Sequence, residues 1–197
     1  TDLNTLEFFN GDEWRQFTYN QGHSGGSRGV FMGGETPTPT YALAGTNISY
    51  ANISSLGNSI NFGDLSLNGK YGGSGMSNST RGVIAGGWNS SPGPGNQFDI
   101  EYITIASEGN AIDWGDLTAA RGGGFAATGS LVRGVAAGGE APSQSNIIDY
   151  WSLLNRSNAV DFGDLTAARN DLDGLSNNHG GLDAESQRAP ELYSPTG

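Results

Sequence analysis

Cysteine is absent from the 197 residues, so there is neither a disulfide framework nor a thiolate metal site. That absence leaves the redox compartment open. Basic residues are scarce: nine Lys and Arg stand against twenty Asp and Glu, a formal charge of -11. Nucleic acid is thereby excluded as a partner, because phosphate binding needs clustered Lys and Arg. No apolar run approaches the roughly 18 residues that a membrane-spanning helix needs, so membrane insertion is not expected. The opening "TDLNTLEFF" lacks the basic start of a signal peptide, and a chain that begins on Thr1 in place of Met reads as processed or as a fragment. Only two histidines occur, His23 and His179, both in Gly/Asn/Ser-rich stretches and neither in an H-x-x-x-H spacing. No long helical periodicity is visible, and charged residues make up only 15%.

What is abundant is glycine, with 33 copies, and aromatics at 10% that fall at regular positions. Regular rings supply apolar material for a core, which argues against a disordered Gly/Ser tract. The composition fits an all-β repeat protein with many turns.

The repeat is explicit. "SRGVFMGG" from Ser27, "TRGVIAGG" from Thr80 and "VRGVAAGG" from Val132 place Arg28, Arg81 and Arg133 at intervals of 53 and 52 residues. Each phrase is followed by a β-type run, "TNISYANIS", "FDIEYITIAS" or "NIIDYWSLL". Each run leads to an F/W-G-D-L phrase at Phe62, Trp114 or Phe162. Four strand-like segments bounded by Gly, Asn, Ser or Pro make up one unit. Four antiparallel strands in about 50 residues is the blade of a β-propeller.

The wording "RGVxxGG … IDYxxI … GNAxDFGDLTxAR" resembles the kelch repeat. Gly33-Gly34, Gly86-Gly87 and Gly138-Gly139 match its double glycine, and Tyr50, Tyr102 and Tyr150 match its third-strand ring. Phe62, Trp114 and Phe162 match the ring of its fourth strand. "LTAAR" at 117–121 and 165–169 is similar to the Leu-Pro-x-Pro-Arg ending of many kelch blades, without its prolines. The phrasing more closely resembles kelch-like proteins carried by tailed bacteriophages of cyanobacteria and other marine bacteria, over residues 22–182. The resemblance implies a kelch-like propeller with blades at about 22–68, 69–121 and 122–169, followed by the first strand of a further blade. Residues 1–21 read as an N-terminal hairpin around Asn10-Gly11, and 183–197 as a tail. The two ends either pair to close a ring of about four blades, or the three blades form an open arc completed by another chain. Closure would hide strand edges that otherwise invite aggregation.

Asp64, Asp116 and Asp164 invite a metal or catalytic reading, with calcium as the best-suited ion. Calcium needs six to eight converging oxygens, and one Asp per unit does not supply them. The expectation is therefore structural, an Asp accepting backbone N–H bonds in a turn, with its neighbouring ring buried against the next blade. The "DFG" at 161–163 has no accompanying phosphate loop or catalytic-loop phrase. Arg28, Arg81 and Arg133 either ring a central channel or each pair with an acid or carbonyl of their own blade. The latter is expected of a repeat position. No cofactor is implied, and no Ser-His-Asp or paired-acid set stands out, so no catalytic residues are nominated.

Segments that do not repeat are the places for recognition: 35–45, 88–97 and 140–145, between second and third strands on one face. Tyr41, Trp88 and Asn89 are the nominated contacts. By resemblance the chain is a non-enzymatic structural and interaction module of the virion, at the tail or host-adsorption apparatus or decorating the capsid surface. Its partners are then other virion proteins and its own copies. The alternative is a lectin-like domain that takes host surface glycan through these loops, rings stacking on sugar while Asn supplies hydrogen bonds. Five Asn-x-Ser/Thr sequons begin at Asn47, Asn52, Asn78, Asn89 and Asn155.

Overall fold

The computed structural model describes residues 7–9, 14–16, 27–37, 42–66, 69–89, 95–140 and 142–176. Tyr41, His23, His179 and the 183–197 tail lie outside the described residues. Among the described residues the secondary structure is all-β, with antiparallel strands and no helix. A short hairpin comes first, β1 (Glu7–Phe9) against β2 (Trp14–Gln16).

Three repeat units follow, each an antiparallel meander. The third is the most regular: β13 (Phe125–Gly129), β14 (Arg133–Gly138), β15 (Ile147–Ser152) and β16 (Val160–Asp164) pair in that order. In the second, β8 (Ser74–Ser77), β9 (Arg81–Ala85), β11 (Gly95–Thr104) and β12 (Ile112–Arg121) do the same. In the first, β3 (Arg28–Met32), β6 (Asn47–Asn52) and β7 (Ile60–Asp64) are described, and the expected strand before β3 falls outside the described residues. Between second and third strands, the first unit inserts a hairpin of β4 (Glu35–Pro37) and β5 (Ala42–Ala44). The second unit inserts β10 (Trp88–Asn89), paired with the start of β11.

The repeated words translate into repeated geometry. In every unit the third and fourth strands slip register just after an isoleucine: Ile48 faces Gly63, Ile100 faces Gly115 and Ile148 faces Gly163, and the slip follows. These bulges put the glycine of F/W-G-D-L at φ of 156°, 150° and 140°, which a side chain rarely adopts. A side chain at Gly63 or Gly115 would also run into the backbone of the next unit. The double glycines turn the chain out of the second strand with both φ values positive, as at Gly86 (53°) and Gly87 (104°). That turn lets the Gly87 N–H donate to the Arg121 carbonyl at 2.8 Å, tying the second strand to the end of the fourth.

The core lies between units and not within them. Ile48, Phe62 and Leu65 of the first unit pack with Ile84, Ile103 and Ala111 of the second. Val83, Ala85, Ile100, Trp114 and Leu117 of the second pack with Phe125, Ala136, Trp151, Leu153 and Ala159 of the third. A two-faced sheet in a stack buries apolar side chains on both faces, and each fully buried ring contributes about 1.5 to 3 kcal/mol. Phe62 and Trp114 are each 3% exposed, as expected of rings buried by the following unit, whereas Phe162 is 55% exposed. The reason is positional: no described unit follows the third.

Candidate functional site

Two features carry chemistry, the seams between units and a cleft among the variable loops. Each seam is built from residues at repeated positions. Arg28 lies over Tyr50, Arg81 over Tyr102 and Trp114, and Arg133 over Tyr150, with guanidinium-to-ring distances of 4.6 to 5.7 Å. The ring beneath is braced edge-on by the fourth-strand aromatic, as in Tyr102–Trp114 at 4.7 Å and 85°. Arg28 and Arg81 stack within their own unit, but their hydrogen-bond acceptors are not there: Arg28 donates to the Ile105 carbonyl at 2.7 Å, and Arg81 to the Leu153 carbonyl, both in the following unit. They are seam clamps. Stacking aligns the guanidinium fork, and the next unit supplies the acceptor.

The F/W-G-D-L aspartates also act across the seam, mainly through their backbone. The Asp64 N–H donates to Asn110 Oδ1 at 3.1 Å, and the Asp64 carbonyl accepts from Ala111 at 2.8 Å. Asp116 repeats this with Asn158 (3.2 Å) and Ala159 (2.7 Å). The Asp64 carboxylate accepts from the Thr46 hydroxyl, not from a turn amide. Burial first, then the Asp113 and Asp99 carboxylates, push the Asp116 carboxyl above its usual range, while Lys70 pulls it back. Among the described residues no cluster of His, Asp or Glu has the convergence a metal ion needs.

Below this ladder each seam buries charge. Lys70 of the first unit reaches Asp99 and Glu101 of the second, with Lys70 and Glu101 side chains fully buried. Ser66 donates its N–H and hydroxyl to Glu101 at 2.8 and 2.6 Å. Arg121 of the second unit meets Asp149 of the third at 2.8 Å, and its other nitrogen bonds the Gly138 and Ile147 carbonyls at 3.0 and 3.1 Å. Thr118 donates to Asp149 through N–H (3.2 Å) and hydroxyl (2.6 Å). Sequence reasoning missed this machinery, although its signal was present. A cation recurs at Lys70, Arg121 and Arg169, and an acid precedes the third-strand tyrosine in two units.

The cleft, of about 390 Å3, opens where the second and third units meet, and Tyr71, Trp88, Asn96, Gly122, Gly123, Glu140 and Pro142 line it. Trp88, nominated from sequence, sits half-buried on β10 with its ring 5.1 Å from Tyr71 and tilted by 53°. Reciprocal backbone bonds between Tyr71 and Trp88, at 3.1 and 2.8 Å, hold the two rings side by side. Asn96 donates its amide to the Glu140 carbonyl at 3.0 Å, joining the 88–97 and 140–145 segments. Asn89 is only 3% exposed, its side chain inside and not on the loop surface. Burial first, then the Glu35 charge, raise the Tyr71 phenol above its usual value, so it stays a neutral donor. Tyr71 was also missed. It breaks the repeat, standing where the later units have Gly122 and Asn170, and an unrepeated ring is the mark that finds it.

Rings of moderate exposure, an amide and one carboxylate suit an uncharged, hydroxyl-rich or peptide ligand by stacking and hydrogen bonds. No protein-family model matches this chain, and no curated protein matches it either.

Proposed function

We propose that this chain is a kelch-like β-propeller arc serving as a non-enzymatic interaction module of a bacteriophage particle. The place we infer is the tail or host-adsorption apparatus, or the capsid surface. The observation that carries this reading is the division of labour along the chain. Repeated residues are spent on interlocking one unit with the next, and the residues that vary between units gather at one edge around the Tyr71–Trp88 cleft. A rigid scaffold with variable loops is the usual build of a recognition surface. The repeat wording supports the phage assignment, and with it other virion proteins and further copies of the chain as partners. Labelling this chain and imaging intact particles tests the proposal. A periodic position on the virion is expected, and absence from purified particles contradicts it.

A second reading is favoured by the cleft itself. Two rings held side by side with Asn96 and Glu140 at the rim fit a sugar, whose C–H face stacks while its hydroxyls bond. A glycan array with the intact chain tests this reading. Saturable binding lost in Trp88→Ala or Tyr71→Ala is expected, and Tyr41→Ala reports whether the 35–45 loop takes part. Binding unchanged in all three sends the glycan reading away and leaves the protein-interaction reading standing.

A further inference from the structure

Lys70 is the only lysine in the chain; of the nine basic residues the other eight are arginines. It is fully buried at the seam between the first and second units. Its Nζ contacts Asp99 Oδ2, lies 3.3 Å from Glu101 Oε2 and donates to the Asp99 carbonyl at 3.1 Å. The next seam is built differently. Its cation is Arg121, and the third-strand position that Asp99 holds opposite Asp116 is taken there by Ile147 opposite Asp164. Two departures from the repeat, an amine for a guanidinium and an added carboxylate, therefore meet at one point. Arg121 and Asp149 show that a guanidinium with one carboxylate is enough to join two units, so joining alone does not account for the departures. An amine, unlike a guanidinium, can shed a proton and attack a carbonyl carbon.

We propose that Lys70 and Asp99 condense to an isopeptide bond across this seam, with Glu101 carrying the protons. Glu101 passes one proton from Nζ to an Asp99 oxygen, which leaves a neutral amine beside a carboxylic acid. The Nζ lone pair then forms the bond to Cγ. Glu101 moves a second proton from Nζ to the same oxygen, whose bond to Cγ breaks as water leaves. The third proton stays on the new amide, nothing is oxidised or reduced, and Glu101 ends as it began. Each group is held for its part. The Lys70 N–H donates to the Gly45 carbonyl at 3.1 Å, and the Lys70 carbonyl accepts from the Gly34 N–H at 2.8 Å. The Asp99 carbonyl accepts from the Gly86 N–H at 3.0 Å. Ser66 aims Glu101 by donating its N–H and hydroxyl to Oε1, which sets Oε2 on the Nζ side. Reactants fixed at contact distance on a rigid frame need little further ordering to react. The product is also easier to bury: three formal charges become one, and the remaining Glu101 carboxylate keeps the Ser66 donors and takes the amide N–H.

Mass spectrometry of the full chain tests the bond. The parent is expected to weigh one water less than its sequence, and its tryptic digest to lack cleavage after Lys70 and to join 29–81 to 82–121. After unfolding in urea, Lys70 of the parent should take no amine-acylating reagent. A parent at full mass whose unfolded Lys70 labels freely overturns the bond and leaves an ion pair only. Lys70→Arg keeps the cation and is expected at full mass; a water still missing there places the loss elsewhere and overturns the assignment. Glu101→Gln, with its fold checked by circular dichroism, is expected to stay at full mass, and loss of water as in the parent overturns the role of Glu101. Should that variant not fold, Ser66→Ala decides in its place, since it takes one donor from Glu101 and leaves Lys70 and Asp99 intact. A smaller cross-linked fraction soon after synthesis supports Glu101 as the carrier, and an undiminished one overturns it.

Discussion

Replacing Asp149 with Asn removes one charge and almost no volume, at a place where three donors converge. Asp149 is fully buried and accepts from Arg121 Nη2 at 2.8 Å, from the Thr118 hydroxyl at 2.6 Å and from the Thr118 N–H at 3.2 Å. An amide keeps one accepting oxygen but turns an NH2 toward a donor. It also leaves Arg121, 1% exposed, as a cation whose remaining partners are two carbonyls. Breaking one side of a buried ion pair costs about 3 to 5 kcal/mol, against a total of roughly 5 to 15 kcal/mol for a folded protein. Asp149→Asn should therefore remove about a fifth of the stability at the least. Urea unfolding at 25 °C reads it through Trp114 and Trp151, which are 3% and 1% exposed and report on both sides of the same seam. The expected result is a large fall in midpoint at unchanged slope. A double replacement, Arg121→Met with Asp149→Leu, should cost less than Asp149→Asn alone, because no charge is stranded. A cost below about 1 kcal/mol for Asp149→Asn, or a double variant worse than the single, would refute the claim that buried charge locks the seam.

Other expectations follow from neighbouring contacts. Trp114→Ala should cost about 3 to 5 kcal/mol in the same assay, since the ring is buried between two units. Gly87→Ala should cost about 1 to 3 kcal/mol, because its φ of 104° is closed to a side chain and a Cβ there meets the Tyr71 carbonyl at 3.1 Å. Asp116 has a raised carboxyl pKa in the folded state, so its ionisation works against folding as pH rises through and above the ordinary carboxylate value. Asp116→Asn, which cannot ionise, should therefore gain on the parent between about pH 3 and pH 7. Melting curves across that range show it, and a gap that narrows as pH rises would contradict the assigned cause.

Much of the architecture could be read from the chain because each repeated word does one structural task. The double glycines marked the end of the second strand and the recurring tyrosine and F/W-G-D-L rings marked the third and fourth strands in every unit, whereas the bulge at the F/W-G-D-L glycine appears only in the register of the paired strands. Phe62 and Trp114 are buried by the next unit, as that pattern predicts. The direction of the arginines was not legible. A repeat shows that Arg28 and Arg81 have equivalent partners, yet spacing alone does not say whether those partners are in the same unit or 70 residues on. The buried charges were hidden by composition rules, since Lys70 and Glu101 look like surface residues until a neighbouring sheet covers them. Asp64 and Asp116 were expected to work through their carboxylates, and it is chiefly their backbone groups that cross the seam. In the cleft, Trp88 was found because a lone Trp stands out in a Gly/Ser loop. Tyr71 was not, because only the backbone pairing within the second unit brings it 5.1 Å from Trp88.

The account holds that stability resides between units, so amide hydrogen exchange under native conditions tests it most directly. The N–H groups of Gly109, Ala111 and Ala159 bond across seams to the carbonyls of Phe62, Asp64 and Asp116 at 2.7 to 2.9 Å. If the seams hold the fold, these amides open only with global unfolding, and their protection equals that of strand amides within β9 and β14. Exchange of the three seam amides at much lower free energy, while β9 and β14 stay protected, would show units that fold alone and merely touch.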